Sequence, residues 1–473
     1  MSRDPRFPRA SLPAFAANVE RDPSLLPLDG GGLSRWKQSD ARWAARLDAR
    51  YDLGGVLDHV QIGGKWLRSS RRYDSASVWN EDFSGTALDG KSLATSRLIQ
   101  KDVNSILGGE YDYGAVLDRR AVIAAINAAI AAQPRQCRQR YRSGARRPQR
   151  RETIASGYAL ANIKVDTLDV VAGGRVEHRD TYNHFWSDDG GKSGFDSTTR
   201  GYTVFLPSVT ANWRPDDEHV YRAALWTGYS PPEYGYLSSG QSIGRDRVTK
   251  EILSISRGNP DLKPAGANNA DISLEWYPDA LSQLSLAGYY KHIRNFIFTN
   301  GNQIEAPTRN STIEITRPQN GKTAEVYGVE LGVIKQLQGL TAPFDGFGLE
   351  GNPTVQHSAA DSGLAYRNGA KIRFVNTPHL LYNAAITYHK YGVQRNLSYN
   401  YRGKYIDDLR YNAVDKWVQH NRSVDFYSCY NTTGRISVDF DVTNLLNDWL
   451  YYTTRGDNPS CQKDYMEPGR TLA

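Results

Sequence analysis

The stretch Gly258-Asn259-Pro260-Asp261-Leu262-Lys263-Pro264, together with segment 268–277, decides the fold of the chain. Its two prolines and its Gly-Asn-Pro turn end one element and hold the backbone extended on its way into the next. The segment that follows alternates with a period of two, which predicts a β-strand with one apolar and one polar face. The alternating residues are Ile272, Leu274 and Trp276 on one face and Asp271, Ser273 and Glu275 on the other.

A hairpin completes this unit, and the same pattern recurs along the chain. Pro278-Asp279-Ala280 turns the chain, and 284–290 returns as a second strand. We count about sixteen strands in all, fourteen of them with assigned bounds, and therefore predict an all-β, antiparallel fold. The other predicted strands are 42–53, 60–66, 157–165, 168–178, 202–213, 219–229, 323–335, 346–357, 377–390, 393–405, 419–430 and 434–446.

Short turns alternate with long connections between these strands. The turns at 166–167 and 215–217 are short, whereas the segments predicted as loops are 1–40, 69–117, 179–200 and 230–267. Within 118–132, apolar residues at helical spacing predict one short helix that packs inside a loop. Aromatic residues cluster near the predicted strand ends, as in the interfacial girdles of membrane barrels. These residues are Trp213, Trp226, Trp276, Tyr277, Tyr401 and Tyr405.

The central stretch resembles the C-terminal half of TonB-dependent outer-membrane receptors, most closely the large receptors of the Caulobacter and Xanthomonas type. Four further segments agree with that family in the same order: Gly173-Gly174-Arg175-Val176-Glu177, Phe205-Leu206-Pro207-Ser208, Tyr327-Gly328-Val329-Glu330-Leu331, and the closing pair Thr443-Asn444-Leu445-Leu446-Asn447 and Glu467-Pro468-Gly469-Arg470-Thr471. The residues that match the family motifs are Asn259, Pro260, Leu262, Pro264, Glu275, Gly328, Glu330, Asn444, Pro468, Gly469 and Arg470.

This resemblance implies an antiparallel transmembrane β-barrel with long extracellular loops, in the outer membrane of a Gram-negative bacterium. Plugged transporters of this type have 22 strands, so we expect 1–473 to be a partial barrel domain. The family's N-terminal plug, its last strand and a signal peptide are not recognisable in the sequence. The implied partners are the lipid bilayer, lipopolysaccharide and, through a plug absent from this chain, the TonB complex.

Composition agrees with many exposed strands and polar loops. The chain has 29 tyrosines and 42 glycines but only 2 methionines among 473 residues, and its mean hydropathy is −0.59. No stretch approaches the roughly 18 apolar residues that a membrane helix needs. A transmembrane barrel produces the same hydropathy profile, because only alternate residues face lipid.

The cysteines and the charge add little about function. Cys137, Cys429 and Cys461 have no metal-ligand spacing, and either a Cys137–Cys461 disulfide or unpaired thiols would be compatible with the sequence. Eight arginines lie between Arg135 and Arg151, and removing their charges from the net +7 leaves −1. With Tyr141 as its one aromatic residue, this run does not predict nucleic-acid binding. It is either an outer loop near lipopolysaccharide phosphates or a segment of accidental composition, including a reading-frame slip.

Two motifs resemble enzyme signatures but lack the required context. Segment 240–244 matches a nucleophile elbow without the strand-to-helix turn that exposes the serine. Segment 346–351 matches a dinucleotide fingerprint, but Asn352-Pro353-Thr354 cannot open a phosphate-binding helix. We find no catalytic constellation, no metal site and no cofactor site, and predict that the chain is not an enzyme.

The sequence therefore predicts a transport receptor for a scarce, bulky nutrient. A ferric siderophore, cobalamin or an oligosaccharide would be bound by loop aromatics and cations, which stack on rings and pair with anions. The candidate ligand-binding residues, all in the long loop 230–267, are Tyr234, Tyr236, Arg245 and Arg247. Two alternatives stay open: these residues pack the loop against lipopolysaccharide, or the chain is a plugless pore or surface-binding β-protein.

Overall fold

The computed structural model of the chain describes residues 22–28, 30–80, 83–103, 114–132, 149–188, 193–237, 240–245, 251–305, 312–337, 339–410, 414–433, 436–455, 461–466 and 469–472. Most of them lie in strands. The strands are β1 (Gly31–Asp52), β2 (Leu57–Asn80), β3 (Ile99–Val103), β4 (Gly114–Leu117), β5 (Gln149–Val165), β6 (Leu168–Asp188), β7 (Ser193–Trp213), β8 (His219–Ser230), β9 (Gln241–Arg245), β10 (Ile252–Arg257), β11 (Ala265–Asp279), β12 (Ser282–Arg294), β13 (Ile297–Glu305), β14 (Thr312–Asn320), β15 (Thr323–Gln336), β16 (Phe347–Gly351), β17 (Thr354–Asp361), β18 (Leu380–Lys390), β19 (Val393–Arg402), β20 (Tyr405–Asp408), β21 (Asp415–Val418), β22 (Asn421–Thr433), β23 (Ile436–Thr443), β24 (Leu450–Arg455), β25 (Cys461–Met466) and β26 (Thr471–Leu472).

Helical structure is confined to a few short elements. The α-helix is α1 (Arg119–Ala132), and single 3₁₀ turns occupy Pro23–Leu25, Ala94–Ser96, Phe344–Gly346 and Ala365–Arg367. In the part of the chain that the structure describes, no helix has the length and apolarity needed to cross a membrane.

The chain divides into two compact units, and the first contains the helix. This unit comprises 1–41 and 70–149. The carboxylate of Asp118 caps α1 by accepting a hydrogen bond from the amide of Ala121 at 2.8 Å. Ala129 packs with Phe83 and Leu88 in a small buried cluster, so the predicted helix and its packing role inside a loop are confirmed. The predicted loop 69–117 is partly wrong, because β2 runs on to Asn80 and β3 pairs with β4.

The second unit, 42–69 and 150–473, holds most of the principal sheet. That sheet has 16 strands in the order β1-β2-β5-β6-β7-β8-β11-β12-β15-β16-β18-β19-β22-β23-β26, with β17 continuing the position of β16 between β15 and β18. Neighbouring strands of this sheet pair in antiparallel fashion, as in β11 with β12 and β12 with β15. Fold class and strand count are therefore as predicted. The single strand predicted over 346–357 is divided into β16 and β17, because residues 352–353, which include Pro353, interrupt it.

The connections of the principal sheet are short at one end and long at the other. At the short-turn end, 166–167 joins β5 to β6 and 391–392 joins β18 to β19. At the long-loop end, 231–264 joins β8 to β11 and 295–322 joins β12 to β15. This asymmetry is typical of outer-membrane barrels, in which the short turns are periplasmic and the long loops extracellular.

The two faces of the principal sheet differ in chemistry. On β11 the apolar face carries Ile272, which is 66 % exposed and lies across from Gly288 of β12. The polar face carries Glu275, which accepts a hydrogen bond from Arg222 at 3.1 Å. Trp226 was predicted at a girdle, but its indole donates to Asp271 on the polar face at 2.6 Å. An outer face of alternate apolar residues against a wet inner face is the pattern of a barrel wall.

Three predicted loops contain regular structure. Segment 179–200 is wrong as a loop, because β6 and β7 pair without interruption from Leu168↔Trp213 to Asp188↔Ser193. Segment 230–267 contains β9 and β10, and β1 begins at Gly31 inside the predicted loop 1–40. Most of these residues are polar on both sides of the strand, which removes the alternation that marks a strand with one apolar face; β10 is an exception, since Leu253 and Ile255 alternate with Ser254 and Ser256. Ser242 of the elbow-like motif lies within β9, and 347–351 of the fingerprint-like motif is β16.

Two smaller sheets are built from the long connections. One has the order β13-β14-β10-β9 and the other β20-β21-β24-β25. They share a buried apolar cluster formed by Phe296, Phe298, Ala324, Ala360, Ile406 and Leu409. Since these residues come from four separate segments of the chain, the cluster joins successive long loops into one packed layer.

A buried ion pair lies within this loop layer. The Nη2 of Arg367 lies 2.5 Å from Oδ1 of Asp415, and the two side chains are only 5 % and 7 % exposed. Asp415 also accepts from the amide of Arg410 at 3.2 Å. Burial raises the pKa of Asp415, although the guanidinium of Arg367 acts in the opposite direction. Among the described residues, each of these two side chains therefore has the other as its ion-pair partner.

We predict that Asp415→Asn destabilises the loop layer by about 3–5 kcal/mol, because it leaves the Arg367 guanidinium buried without a counter-ion. The double variant Arg367→Met/Asp415→Leu is expected to lose much less. Hydrogen exchange of 405–418 measures the local free energy of opening. Lys416→Gln is the matched control, since the Lys416–Asp407 pair in the same hairpin is more exposed. Equal losses in the single and double variants would contradict this prediction.

Candidate functional site

Asn259 is the hub of the long-loop end. Its side chain is 7 % exposed. Its Nδ2 donates to the carbonyl of Pro318 at 3.1 Å, and its Oδ1 accepts from Arg317 at 2.9 Å and from the amide of Asp261 at 3.1 Å. Its own amide donates to the carbonyl of Tyr236 at 2.5 Å. Asn259 therefore joins the central motif to β14 through its side chain and to loop 231–237 through its backbone amide.

The rest of the central motif is tied to the sheet and to the same loops. Arg200 of β7 donates to the carbonyl of Pro260 at 2.6 Å and to the carboxylate of Asp261 at 2.9 Å. The amide of Lys263 donates to Oδ1 of Asn320 at 2.9 Å. Leu262 is buried. The Asn-Pro-Asp-Leu-Lys-Pro segment thus fixes loop 231–237 and β14 relative to the polar face of β7.

A cluster of buried charged and phenolic groups lies on β5 to β8 nearby, and we name Glu152, Glu177, Arg179, Tyr202 and Tyr229 the polar cluster. The Nη1 of Arg179 lies 2.5 Å from Glu152 and its Nη2 3.5 Å from Glu177. The hydroxyl of Tyr229 donates to Glu177. The guanidinium of Arg179 also stands 5.7 Å from the centre of the Tyr229 ring, a cation–π distance.

Some buried polar atoms in this region have no partner among the described residues. They include the hydroxyl of Tyr202 and Nε of Arg179, and Oδ1 of Asn183 on the same strand as Arg179. Buried polar groups are normally hydrogen-bonded, so such atoms need a ligand or water to complete them. The polar cluster therefore offers both donor and acceptor capacity to a bound molecule.

Loop 231–237 separates two cavities at the long-loop end. The smaller has a volume of 160 Å³ and includes Arg179, Tyr202, Arg200, Tyr234 and Lys263 in its lining. Burial, followed by the hydrogen bond to Glu152, raises the pKa of Tyr234 to about 12. Its ring lies 5.9 Å from the guanidinium of Arg150. Tyr234 therefore presents a neutral hydroxyl beside two ion pairs of the cavity wall, Arg179–Glu152 and Arg200–Asp261.

The larger cavity, of 560 Å³, lies on the other side of the same loop. It combines aromatic walls with a few polar groups; the principal lining residues are Trp226, Tyr229, Glu233, Tyr236, Lys291 and Phe374. Gly228 lies on its floor, where an added Cβ would be 2.9 Å from the Trp226 ring. Aromatic surfaces with a few placed polar groups are the usual composition of small-molecule sites.

The four candidate ligand residues occupy different places. Tyr234 and Tyr236 line the smaller and the larger cavity respectively. Arg245 lies at the end of β9, outside the lining of either cavity, and Arg247 lies outside the described residues. The structure thus brings the two tyrosines to cavities and does not bring Arg245 to them.

Other family-motif residues have structural contacts. Asn444 donates to the carbonyls of Asp448 and Gly469 at 3.1 and 3.0 Å. An added Cβ at Gly328 would lie 2.8 Å from the carbonyl of Val355, so only glycine fits between these strands. Pro468 and Cys137 lie outside the described residues, as do residues 135–148 of the arginine-rich run.

The sequence reasoning missed the polar cluster and both cavities. Arg175, Glu177 and Arg179 alternate along β6, a signal for one charged face that could have been found. Glu152 and Tyr202 lie on other strands, and only the register of β5, β6 and β7 brings them to Arg179. Among the described residues, no group of three His, Cys, Asp or Glu side chains has the geometry of a metal site.

The sheet of alternating faces, the turn asymmetry and the loop layer define a barrel-type membrane protein. The chain belongs to the TonB-dependent receptor-like β-barrel family, whose model matches residues 3–445. Members of this family are transport receptors and β-barrel proteins of the Gram-negative outer membrane, and that membrane is the location of this chain. No curated protein sequence matches it.

Solved structures of similar fold include two iron-uptake receptors and a copper transporter. The ferric yersiniabactin uptake receptor of Yersinia pestis aligns with a TM-score of 0.53 and 16 % identity over 94 % of this chain and 54 % of that one. The ferric-catecholate import receptor of E. coli K12 aligns with a TM-score of 0.56 and 14 % identity over 93 % of this chain and 54 % of that one. The copper transporter aligns with a TM-score of 0.58 and 14 % identity over 93 % of this chain and 57 % of that one. The chain spans a little over half the length of these relatives.

We predict that Asn259→Ala loosens loop 231–237 and β14 together, because it leaves the Pro318 carbonyl and the Asp261 amide without their partner and releases the backbone at position 259, whose amide holds the Tyr236 carbonyl. The expected loss is about 2–3 kcal/mol of local stability, measured by hydrogen exchange of 234–237 and 312–320. Asn268→Ala is the control, since Asn268 is exposed and its side chain makes one 3.3 Å contact with Thr227. Loosening confined to one of the two segments would contradict the role of Asn259 as a hub.

We predict that the Tyr234 hydroxyl ionises well above the usual range for tyrosine. Its pKa is raised from 10.0 to about 12 in the folded protein, so the neutral phenol stabilises the fold fully below pH 10 and loses that effect as the pH rises toward 12. The difference in tyrosinate absorbance between the wild type and Tyr234→Phe isolates this group. A difference titration centred near 10 would show that Tyr234 is not buried against Glu152.

Proposed function

We propose that the whole chain, 1–473, is the barrel part of an outer-membrane receptor that takes up a scarce, bulky nutrient by active transport energised through TonB. The observation that carries this proposal is the pair of cavities on either side of loop 231–237, at the long-loop end of the sheet. A ligand arriving from outside would meet this end first, since long loops are extracellular in outer-membrane barrels.

The lining of the cavities supports a ligand with flat rings and negative charge. The larger cavity offers the Trp226 indole and the Tyr236 phenol as stacking surfaces and Lys291 as a cation. Arg179 and Arg200 line the smaller cavity but are already paired with Glu152 and Asp261, so Lys291 is the cation among these lining residues that remains available to an anionic ligand. An anionic ferric siderophore fits this chemistry better than cobalamin or a neutral oligosaccharide, the two other candidate substrates.

This assignment is supported, for the siderophore class, by the iron-uptake receptors of similar fold. Those likenesses concern the fold, and the substrate choice here rests on the cavity lining. Binding of TonB, through a plug, and contact with lipopolysaccharide are further parts of the proposal. The chain is proposed to have no enzymatic activity, because its charged groups pair with one another rather than forming a nucleophile–base constellation.

Ligand binding tests the proposal directly. The folded chain is titrated with a ferric catecholate, ferric citrate, cyanocobalamin and maltohexaose, and quenching of tryptophan fluorescence reports occupancy near Trp226. We predict binding of a ferric complex. Tyr236→Ala and Lys291→Gln are each expected to weaken it about tenfold, the effect of losing one stacking or charge-assisted contact.

Tyr51→Ala is the matched control, because Tyr51 is exposed next to the short turn that follows β1. Equal affinity in Tyr236→Ala, Lys291→Gln and the control would contradict the assigned cavity. Binding of maltohexaose alone would replace the siderophore class by carbohydrate. Steady ion conductance in a planar bilayer, with no binding of any of the four ligands, would favour the alternative of a plugless pore.

A further inference from the structure

Arg395 is an unusual residue on the apolar face of the principal sheet. Tyr388 of β18 lies directly across from it on one side and Ser428 of β22 on the other. The row continues to Phe347 of β16 and Phe440 of β23. Arg395 is exposed, and its guanidinium forms no ion pair or hydrogen bond with any residue that the structure describes. A cation therefore stands unpaired in a row of otherwise apolar or neutral side chains.

This position lies close to the short-turn end of the sheet. Lys390 pairs with Val393 across the turn Tyr391-Gly392, and Arg395 is two residues further along β19, or about 7 Å from that last pair. Short turns are periplasmic in outer-membrane barrels. The flexible stem of Arg395 can therefore bring its head to the level of the lipid headgroups in the periplasmic leaflet.

A groove of 590 Å³ surrounds Arg395. Its walls are aromatic and aliphatic, and they include Phe344, Phe347, Tyr388, Tyr391, Leu397 and Phe426. The rings support one another, with Phe347 and Tyr388 in edge contact at 5.1 Å. The Tyr388 hydroxyl donates to the carbonyl of Pro343 at 3.1 Å. These contacts hold the groove open as a shaped surface wide enough for an acyl chain.

The nearby charges do not neutralise Arg395. The carboxylate of Asp345, next to the lining residue Phe344, forms its ion pair with Lys390. Arg222, which lies on the polar face, also borders a groove of 440 Å³, but its guanidinium is paired with Glu275 at 3.1 Å. Arg395 thus has no counter-charge among the described residues of this groove, and a lipid phosphate at the membrane surface can supply one.

We infer that the groove around Arg395 is a binding site for one glycerophospholipid of the periplasmic leaflet. The guanidinium binds the phosphate, for which its planar fork offers two parallel hydrogen bonds. One acyl chain lies along Phe347, Ile386 and Leu397. General contact with the bilayer requires only the apolar side chains of this face. The groove differs because Arg395 adds a cation that can select a lipid with a phosphate headgroup.

Lipid retention by the folded chain tests this inference. The chain in detergent micelles is mixed with phosphatidylglycerol or with diacylglycerol of the same acyl chains, and bound lipid is counted by native mass spectrometry. The wild type is expected to retain one phosphatidylglycerol and no diacylglycerol. Arg395→Gln should weaken retention about fivefold, the effect of one basic side chain at an anionic lipid surface, and Arg395→Lys should fall in between.

Arg214→Gln is the matched control, because Arg214 is an exposed arginine in the turn between β7 and β8 at the same end of the sheet. Folding of every variant is checked by the faster gel migration of unheated barrels. A photoactivatable acyl chain should label 343–347 and 391–397. Equal retention by Arg395→Gln and the control, equal retention of diacylglycerol, preference for lipopolysaccharide, or uniform labelling of the apolar face would each overturn the site.

Discussion

Backbone hydrogen bonding in a hydrocarbon layer is the constraint on which the rest of this structure depends. A strand that crosses a membrane finds no water for its amide and carbonyl groups, so each group must pair with a neighbouring strand. The principal sheet meets this demand by antiparallel ladders such as β11 with β12 and β12 with β15. Irregular backbone is then confined to the two ends, and binding groups that need irregular loops must lie there.

This confinement explains why one short motif organises so much of the chain. The loops at the long-loop end are long, and without internal ties they would carry a large conformational entropy. Asn259 and Arg200 tie the central motif to loop 231–237, β14 and β7, and the cluster around Phe296 packs the neighbouring loops. A proline-bounded segment with a buried amide therefore performs the role that a disulfide or metal performs in smaller loop-rich proteins.

The sequence predicted most strands that have one apolar face, and it failed mainly where neither face is apolar. The hairpin 268–290 and the turn at 166–167 were visible because Ile272, Leu274 and Trp276 alternate with polar residues. Strands 179–188 and 193–200 were missed because both of their faces are polar, which removes the alternation. Tyr234 and Tyr236 could be chosen by residue type, whereas Glu152, Tyr202 and the Arg367–Asp415 pair, 48 residues apart, meet only through tertiary packing. A periodic sequence pattern does not predict side-chain contacts of this kind.

An arginine on the polar face of the principal sheet has a different environment from an arginine on the apolar face. Arg222 on the polar face donates to Glu275 of the neighbouring strand β11 at 3.1 Å. Its charge is therefore balanced within the protein and does not indicate a bound ligand. Arg395 lies on the other face, where the side chains beside it in the same row are Tyr388 and Ser428. Because successive residues of a strand point to opposite faces, a shift of one residue would move this guanidinium from lipid to water. A charge retained on the lipid side of such a wall implies a charged partner within the lipid, and a phosphate headgroup is the anion that a bilayer supplies.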